Sequence, residues 1–294
     1  MPKHIYIFET RHVNYLKPYL DKAKSLGFNV TLTNNSHLEN NLLFKEFLSV
    51  YKHYSVNPPE FEIACFARYF AIASLVKNDQ PFIMTDTDVF LTDAFRDFQG
   101  YDFKGSFVGS EGFDGMGSQG QISPHCTVWN RSLLMDFIHF TLDTYKRNYE
   151  DDFLEKYYQA QTAKYTYTAV SDMNLIYLWL NQNKVPYINS NSGKFVFGID
   201  HNISSLLCED GEFKSYANRK YLKIRGNTYS CFLNTGQEQV MALLHFQGQY
   251  KTILKDFYAG KYAKFLFFTL KSNHRANRNL RKSKNIAEAN LVKQ

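Results

Sequence analysis

The stretch that most restricts how this chain can fold is Pro81–Thr92, Pro-Phe-Ile-Met-Thr-Asp-Thr-Asp-Val-Phe-Leu-Thr. The short apolar run Phe82-Ile83-Met84, bounded by polar residues, reads as a buried strand. It is preceded by Glu60–Lys77, where Phe61, Ala64, Cys65, Tyr69, Ile72 and Leu75 recur at helical spacing behind Pro58-Pro59. A helix feeding a buried strand is half of an αβ unit. Asp86 and Asp88 leave that strand at i and i+2, so in extended geometry their carboxylates share one side. Two hard oxygen donors at the carboxyl end of a strand, where ligand crevices open in α/β sheets, suit a divalent cation.

The amino-terminal third repeats the pattern. His4–Phe8 is an apolar-rich strand. Tyr15–Leu26 has helical spacing with Gly27 just past its end, and Phe28–Leu32 is a second strand. Strand, helix, strand predicts a βαβ unit with parallel pairing. Thr33–Asn41 is polar loop. Further strands are expected at Tyr101–Gly109 (as a pair), Ser123–Trp129, Val185–Ile188 and Phe195–Phe197. Helices are expected at Leu133–Tyr145 and Asp172–Asn181, the latter with Ser171 as N-cap. Glu111–Gln121 gathers Gly112, Gly115, Gly117 and Gly120, a loop too glycine-rich for a simple turn, which suits equally a plain surface excursion and a lid or acceptor-binding role. It matches no phosphate-cradling glycine motif.

Apolar residues make up 44% of the 294, ample for one large core, and aromatic residues reach 17%, enough for an aromatic-packed interior. The net charge of +6 is not spread evenly. Between Lys261 and Lys284 stand eight lysines and arginines and no acid, so the rest of the chain is close to neutral. Basicity therefore speaks about the tail and not about the site. The cysteines Cys65, Cys126, Cys208 and Cys231 have no C-x-x-C spacing, which argues against a zinc knuckle and fits a reducing compartment. The opening Met-Pro-Lys-His-Ile-Tyr-Ile lacks the apolar core of a signal peptide, and no apolar run reaches transmembrane length.

A second motif completes the acidic pair. The apolar run Met241–Phe246 ends in His245-Phe246-Gln247-Gly248-Gln249-Tyr250-Lys251. Histidine ligates transition-type divalent metals, glycine lets a backbone approach a bulky anion, and lysine offers a point charge for phosphate. Asp86 and Asp88 with His245, Gly248 and Lys251 describe a metal–diphosphate site. A haloacid-dehalogenase phosphatase would also place an acidic pair after a strand. It would need Thr or Val where Phe90 follows Val89, and would carry the pair on its first strand.

With these motifs the chain resembles the GT-A fold, metal-dependent nucleotide-sugar glycosyltransferases of the family 8 type, which includes bacterial lipopolysaccharide galactosyl- and glucosyltransferases and glycogenin. Arg68 on the helix before the acidic strand, Thr85-Asp86-Thr87-Asp88, Ser171-Asp172-Met173-Asn174 opening a helix, and His245 to Lys251 fall in the family's order, over about residues 4–251. The chain departs from the pattern in having Thr252-Ile253 after the closing lysine, Met173 after Asp172, and Pro124-His125-Cys126 before the middle strand. The departures touch sugar and acceptor contacts and leave the metal–diphosphate residues in place.

The resemblance implies an α/β, Rossmann-like mixed sheet flanked by helices. Asp86, Asp88 and His245 would bind Mn2+ or Mg2+, with Asp86 also reaching the ribose. Gly248 and Lys251 would hold the β-phosphate, and Phe8, Glu9 and Thr10 would lie near the nucleobase. Arg68 and Asp172 would be the catalytic pair, Arg68 at the donor sugar or its phosphate and Asp172 at sugar hydroxyls or the acceptor. It also implies a UDP-linked hexose donor, a glycan or lipid-linked acceptor in lipopolysaccharide or surface-polysaccharide synthesis, and retention of configuration. An inverting transferase with Asp172 as general base and a non-catalytic nucleotide-sugar-binding or membrane scaffold are the alternatives.

The chain is expected to divide into a catalytic domain, 1–254, and a basic, aromatic tail, 255–294. In the tail Phe257, Tyr258, Tyr262, Phe265, Phe267 and Phe268 interleave with lysines, a composition suited to an anionic membrane surface. The competing reading is a helix packed on the body, followed by a solvated basic end. No nucleic-acid recognition motif accompanies the charge. The expected location is cytoplasmic, peripheral on the inner face of the membrane.

Overall fold

The structure, a computed structural model, describes residues 2–103, 105–111, 120–163, 169–192, 197–208, 211–216, 219–263 and 265. Its amino-terminal half runs β1 (His4–Phe8), α1 (Leu16–Ser25), β2 (Asn29–Thr33), α2 (Leu42–Val50), α3 (Pro59–Ala73), β3 (Phe82–Thr85), β4 (Val89–Leu91), β5 (Phe107–Glu111) and β6 (Ile122–Trp129). Then come α4 (Arg131–Asp151), α5 (Phe153–Thr162), α6 (Asp172–Gln182), β7 (Tyr187–Asn189) and β8 (Gly198–Ile199). Two short ladders follow, β9 (Leu207–Cys208) with β10 (Gly211–Glu212) and β11 (Ser215–Tyr216) with β12 (Arg219–Lys220). The described chain closes with β13 (Lys223–Arg225), β14 (Thr228–Phe232), β15 (Glu238–His245) and α7 (Lys251–Tyr258).

The main sheet has the order β2-β1-β3-β6-β5-β7. The expected βαβ unit is present: β1 is parallel to both β2 and β3. β6 runs antiparallel to β3 and β5, so the sheet is mixed. Its central strands are buried on both faces, which explains why Phe82-Ile83-Met84 reads as a continuous apolar run. Phe82 and Met84 point to the face covered by α3, α4 and α6, while Ile83 points to the other, with Ile5, Ile7, Val89 and Leu91. The helix-covered face is filled with rings. Trp129 stacks on Trp179 at 5.6 Å, and Phe107 meets Trp129 edge-on at 4.7 Å. Each fully buried ring of this kind contributes on the order of 2–3 kcal/mol of transfer free energy.

A second sheet, β13-β14-β15-β4 with β8 beside β15, is built almost entirely from the carboxyl-terminal third. β4 is the exception. The chain leaves the main sheet at Thr85, crosses through Asp86-Thr87-Asp88, and joins the second sheet at Val89. There β4 pairs antiparallel with β15, and Val89 lies opposite His245.

Several boundaries differ from the sequence reading. α3 stops at Ala73 and not Lys77, because Leu75 folds back onto the Ile72 carbonyl. Tyr101–Gly109 is not a strand pair: among the described residues the one strand there is Phe107–Glu111, and residues 93–100 form 3-10 turns. Gly27 does end α1 with positive φ, as its position suggested. Of the glycine-rich loop, residues 112–119 lie outside the described residues, as do Phe195, Val196 and the tail beyond Phe265. The division expected between 254 and 255 falls inside α7. Phe257 and Phe265 are buried in a cluster with Phe90 and Phe246, and the Tyr258 hydroxyl donates to the Val89 carbonyl at 2.8 Å. Among the described residues, no helix is long and apolar enough to cross a membrane.

Candidate metal and diphosphate site

The site forms where the two sheets meet. Antiparallel pairing brings the end of β15 to the start of β4, and the Phe246 amide continues the ladder to the Asp88 carbonyl at 2.9 Å. Register alone therefore carries His245 across a sequence separation of more than 150 residues to Asp88. Ligand atoms of Asp86, Asp88 and His245 all lie within 4.8 Å of one another. His245 Nε2 stands 3.6 Å from Asp88 Oδ1. The convergence expected from the sequence is met, although residues 86–88 turn between sheets and are not extended strand.

Each candidate ligand is held from behind. His245 Nδ1 lies 2.6 Å from the His201 carbonyl, which can only accept, so Nδ1 carries the proton. In the neutral ring this leaves the Nε2 lone pair facing Asp88. The His125 ring stacks on His245, 4.4 Å between centroids and nearly parallel. Asp86 Oδ1 accepts from Arg68 Nη1 at 2.6 Å, and its amide donates to the His125 carbonyl. Asp88 Oδ2 is paired with Lys251 Nζ at 2.7 Å. Burial would raise the Asp88 carboxyl, but His245 and Lys251 outweigh it and hold it well below the usual carboxylate range. Burial likewise pulls His245 down, and the Asp88 carboxylate more than reverses this.

The donor set fits a divalent cation. Asp88 Oδ1 is buried and has no hydrogen-bond partner among the described residues, a costly arrangement for a carboxylate oxygen unless a cation meets it. Two carboxylates and one imidazole suit Mn2+ or Mg2+ better than a thiolate-seeking metal. The local charges also balance: Asp86 and Asp88 face Arg68 and Lys251. A dication added here would leave an excess of positive charge, which a diphosphate would neutralise.

The other expected site residues fall around this centre. Asp172 is buried at the start of α6, 3.9 Å from Arg68 Nε, and accepts from the Tyr69 hydroxyl at 2.8 Å and the Met173 amide at 2.9 Å. Burial raises its pKa to about 6, against the opposing pull of Arg68 and Tyr69. Glu9 directly follows β1, holds Arg11 through both carboxylate oxygens, and accepts from the Thr87 hydroxyl at 2.6 Å. It thereby ties the end of the first strand to the middle of the acidic motif. Phe8 is half-buried against the helix-side core, and Thr10 is exposed. Gly248 has φ +63, and an added Cβ would meet open space. Backbone conformation, and not crowding within the protein, is what asks for glycine there.

Sequence reading missed Thr87, Tyr69, His125, Asp200, His201 and Lys220. The Thr87 between the two acids was visible but had no assigned partner. Tyr69 reads as a core position of α3 and meets Asp172 only where α3 packs against the start of α6, and the rest approach through the pairing of distant strands, which one sequence does not display.

No protein-family model and no curated protein matches the chain. Among solved structures it is similar to mouse xyloside xylosyltransferase 1 in its apo form, with a TM-score of 0.40 and 10% identity over 64% of this chain and 85% of that one. It is also similar to a glycosyltransferase involved in glycosylation of the major capsid of PBCV-1 (TM-score 0.33, 12% identity, covering 63% and 79%). A third is the apo-form glycosyltransferase GlyE of Streptococcus pneumoniae TIGR4 (0.33, 13%, covering 65% and 46%). Likenesses this distant assign neither family nor activity to the chain, so the functional reading rests on the site itself.

Proposed function

We propose that this protein is a GT-A type, metal-dependent glycosyltransferase that moves a hexose from a UDP-linked donor to a glycan or lipid-linked acceptor in surface-polysaccharide or lipopolysaccharide synthesis, with retention. The observation that carries the reading is the convergence of Asp86, Asp88 and His245 within 4.8 Å, around a buried Asp88 oxygen that has no hydrogen-bond partner among the described residues. The motif resemblance then selects nucleotide-sugar chemistry from among metal–diphosphate reactions.

Asp86, Asp88 and His245 would hold Mn2+ or Mg2+, which when bound supplies Lewis-acid neutralisation of the departing diphosphate. Arg68 fixes the direction of the Asp86 carboxylate through their ion pair. Lys251 sits on the Asp88 carboxylate at the end of a flexible four-carbon stem, so it can swing to a β-phosphate once that carboxylate is committed to the ion. Gly248, at the turn after β15, leaves its amide unobstructed by a side chain for the same phosphate. Phe8, Glu9 and Thr10 close the end of the parallel strands, where a base would lie. Asp172, beside Arg68, would meet a sugar or acceptor hydroxyl. Its elevated pKa also suits a general base, which keeps an inverting reaction as the second reading.

The test is donor hydrolysis across a panel of nucleotide sugars, with and without Mn2+. Metal-dependent nucleotide release that falls to background in Asp88→Asn is expected. Binding without turnover across all donors and acceptors would leave a scaffold instead. The basic stretch beyond Phe265 is read as the anchor to an anionic leaflet at the inner face of the membrane. Truncation after Phe265 keeps the aromatic packing of α7 and is expected to abolish binding to anionic liposomes while sparing hydrolysis. Equal liposome binding by both forms would refute the anchor.

A further inference from the structure

Behind His245 lies an ion pair that the proposed reaction does not touch. Lys220 and Asp200 are paired with both side chains fully buried. Lys220 also donates to the Asn202 carbonyl at 2.8 Å, and its ammonium lies 4.9 Å from the centre of the Phe213 ring. Asp200 uses its second oxygen to accept the His245 amide at 3.0 Å. The backbone is knitted in the same direction: the Asp200 amide donates to the Leu243 carbonyl, and the Ile203 amide to the His245 carbonyl. Residues 200–202 are thus clamped at both ends by one lysine. Between the two clamped positions sits His201, whose carbonyl receives His245 Nδ1.

A fully buried ion pair is a poor stabiliser. Taking its charges out of water carries a desolvation penalty that the pairing barely offsets, and well-packed apolar replacements are often neutral or better. What such a pair does supply is direction. Here every bond it makes converges on one segment, and that segment fixes one carbonyl. A shift of the His201 carbonyl by about an ångström would break the Nδ1 hydrogen bond, free the other tautomer and turn Nε2 away from Asp88.

We propose that Lys220 and Asp200 are positioning residues for the metal site: they hold the His201 carbonyl, set the Nδ1–H tautomer of His245 and so fix the affinity for the divalent ion. This rests on the metal reading above. The two residues touch neither substrate nor metal in this scheme.

The experiment uses the full chain and two readouts. The first is Mn2+ affinity, measured by electron paramagnetic resonance in the presence of UDP. The second is the 15N spectrum of His245 at a pH that keeps its ring neutral, which reports the tautomer without any metal. The double variant Asp200→Asn/Lys220→Met removes both charges and keeps an oxygen for the His245 amide. It is expected to fold, to show mixed tautomers, and to bind Mn2+ about 10–100-fold more weakly, the usual effect of losing an outer-shell partner. If the double variant does not fold, the unsubstituted protein still decides: a His245 ring found as the Nε2–H tautomer overturns the proposal. A folded variant with unchanged tautomer and unchanged Mn2+ affinity overturns the proposal. Absence of Mn2+ binding in the unsubstituted protein overturns the metal reading itself, and the tautomer spectrum tells that failure apart from the first.

Discussion

Replacing Asp172 by asparagine isolates the electrostatic cost of one buried acid. The Asp172 side chain is almost wholly enclosed, and burial raises its pKa from 3.8 to about 6 despite the nearby Arg68. The folded protein therefore holds this proton more tightly than the unfolded chain does. Below pH 3.8 both states are protonated and the favourable contribution is complete. As pH rises through about 6 it is lost, because the folded state must then carry a desolvated carboxylate. A shift of roughly two units at 1.36 kcal/mol each amounts to about 3 kcal/mol. The asparagine of the variant stays neutral throughout. Urea unfolding of both proteins at intervals from about pH 4 to about pH 7.5 provides the comparison, and subtraction cancels the groups they share. The stability of the unsubstituted protein relative to Asp172→Asn is expected to fall by about 2–3 kcal/mol across that range, with most of the change below about pH 6.5. The variant should gain stability at neutral pH while losing activity, as expected where function retains a strained charge. A flat difference curve, or one that rises with pH, would refute the assignment of Asp172 as a desolvated acid.

Further predictions concern the groups around it. Lys251→Met should have opposite effects in two conditions: Mn2+ alone should bind tighter, because Asp88 loses a charge-assisted bond worth about 1.5–3 kcal/mol, whereas UDP in the presence of Mn2+ should bind more weakly. Calorimetry on both titrations checks this, and weakening in both would show that Lys251 does not compete for Asp88. Gly248→Ala should cost about 1–2 kcal/mol in urea unfolding because of its left-handed backbone, and Gly248→Asn less; equal costs would point to a steric cause. Thr87→Val removes the buried hydroxyl donated to Glu9 and should destabilise by about 1–3 kcal/mol. An unchanged unfolding midpoint would mean that Arg11 alone satisfies Glu9.

The sequence by itself determined the parts of this protein written in local pattern. The βαβ opening, the buried strand Phe82–Met84 and the helix from Asp172 follow from apolar period and flanking residues, because those signals act over one or two turns of chain. Asp86, Asp88, His245 and Lys251 were legible as chemistry, since carboxylate, imidazole and ammonium at those spacings have few joint uses. The neighbours of these residues were not legible. Nothing in Val89-Phe90-Leu91 says that β4 leaves the main sheet to pair with β15, a choice made by complementary burial and register over a long span. Lys220 and Asp200 lie 20 residues apart with no periodic relation, and only the folding of β8 and the β11–β12 ladder onto the second sheet brings them into contact. The elevated pKa of Asp172 is likewise invisible in Ser-Asp-Met-Asn, where the acid reads as an ordinary helix-dipole partner. Ligand identity is a property of side chains, but ligand direction and charge state depend on how much water the packed structure removes and which groups it places beside them. Those quantities exist only once distant segments have met.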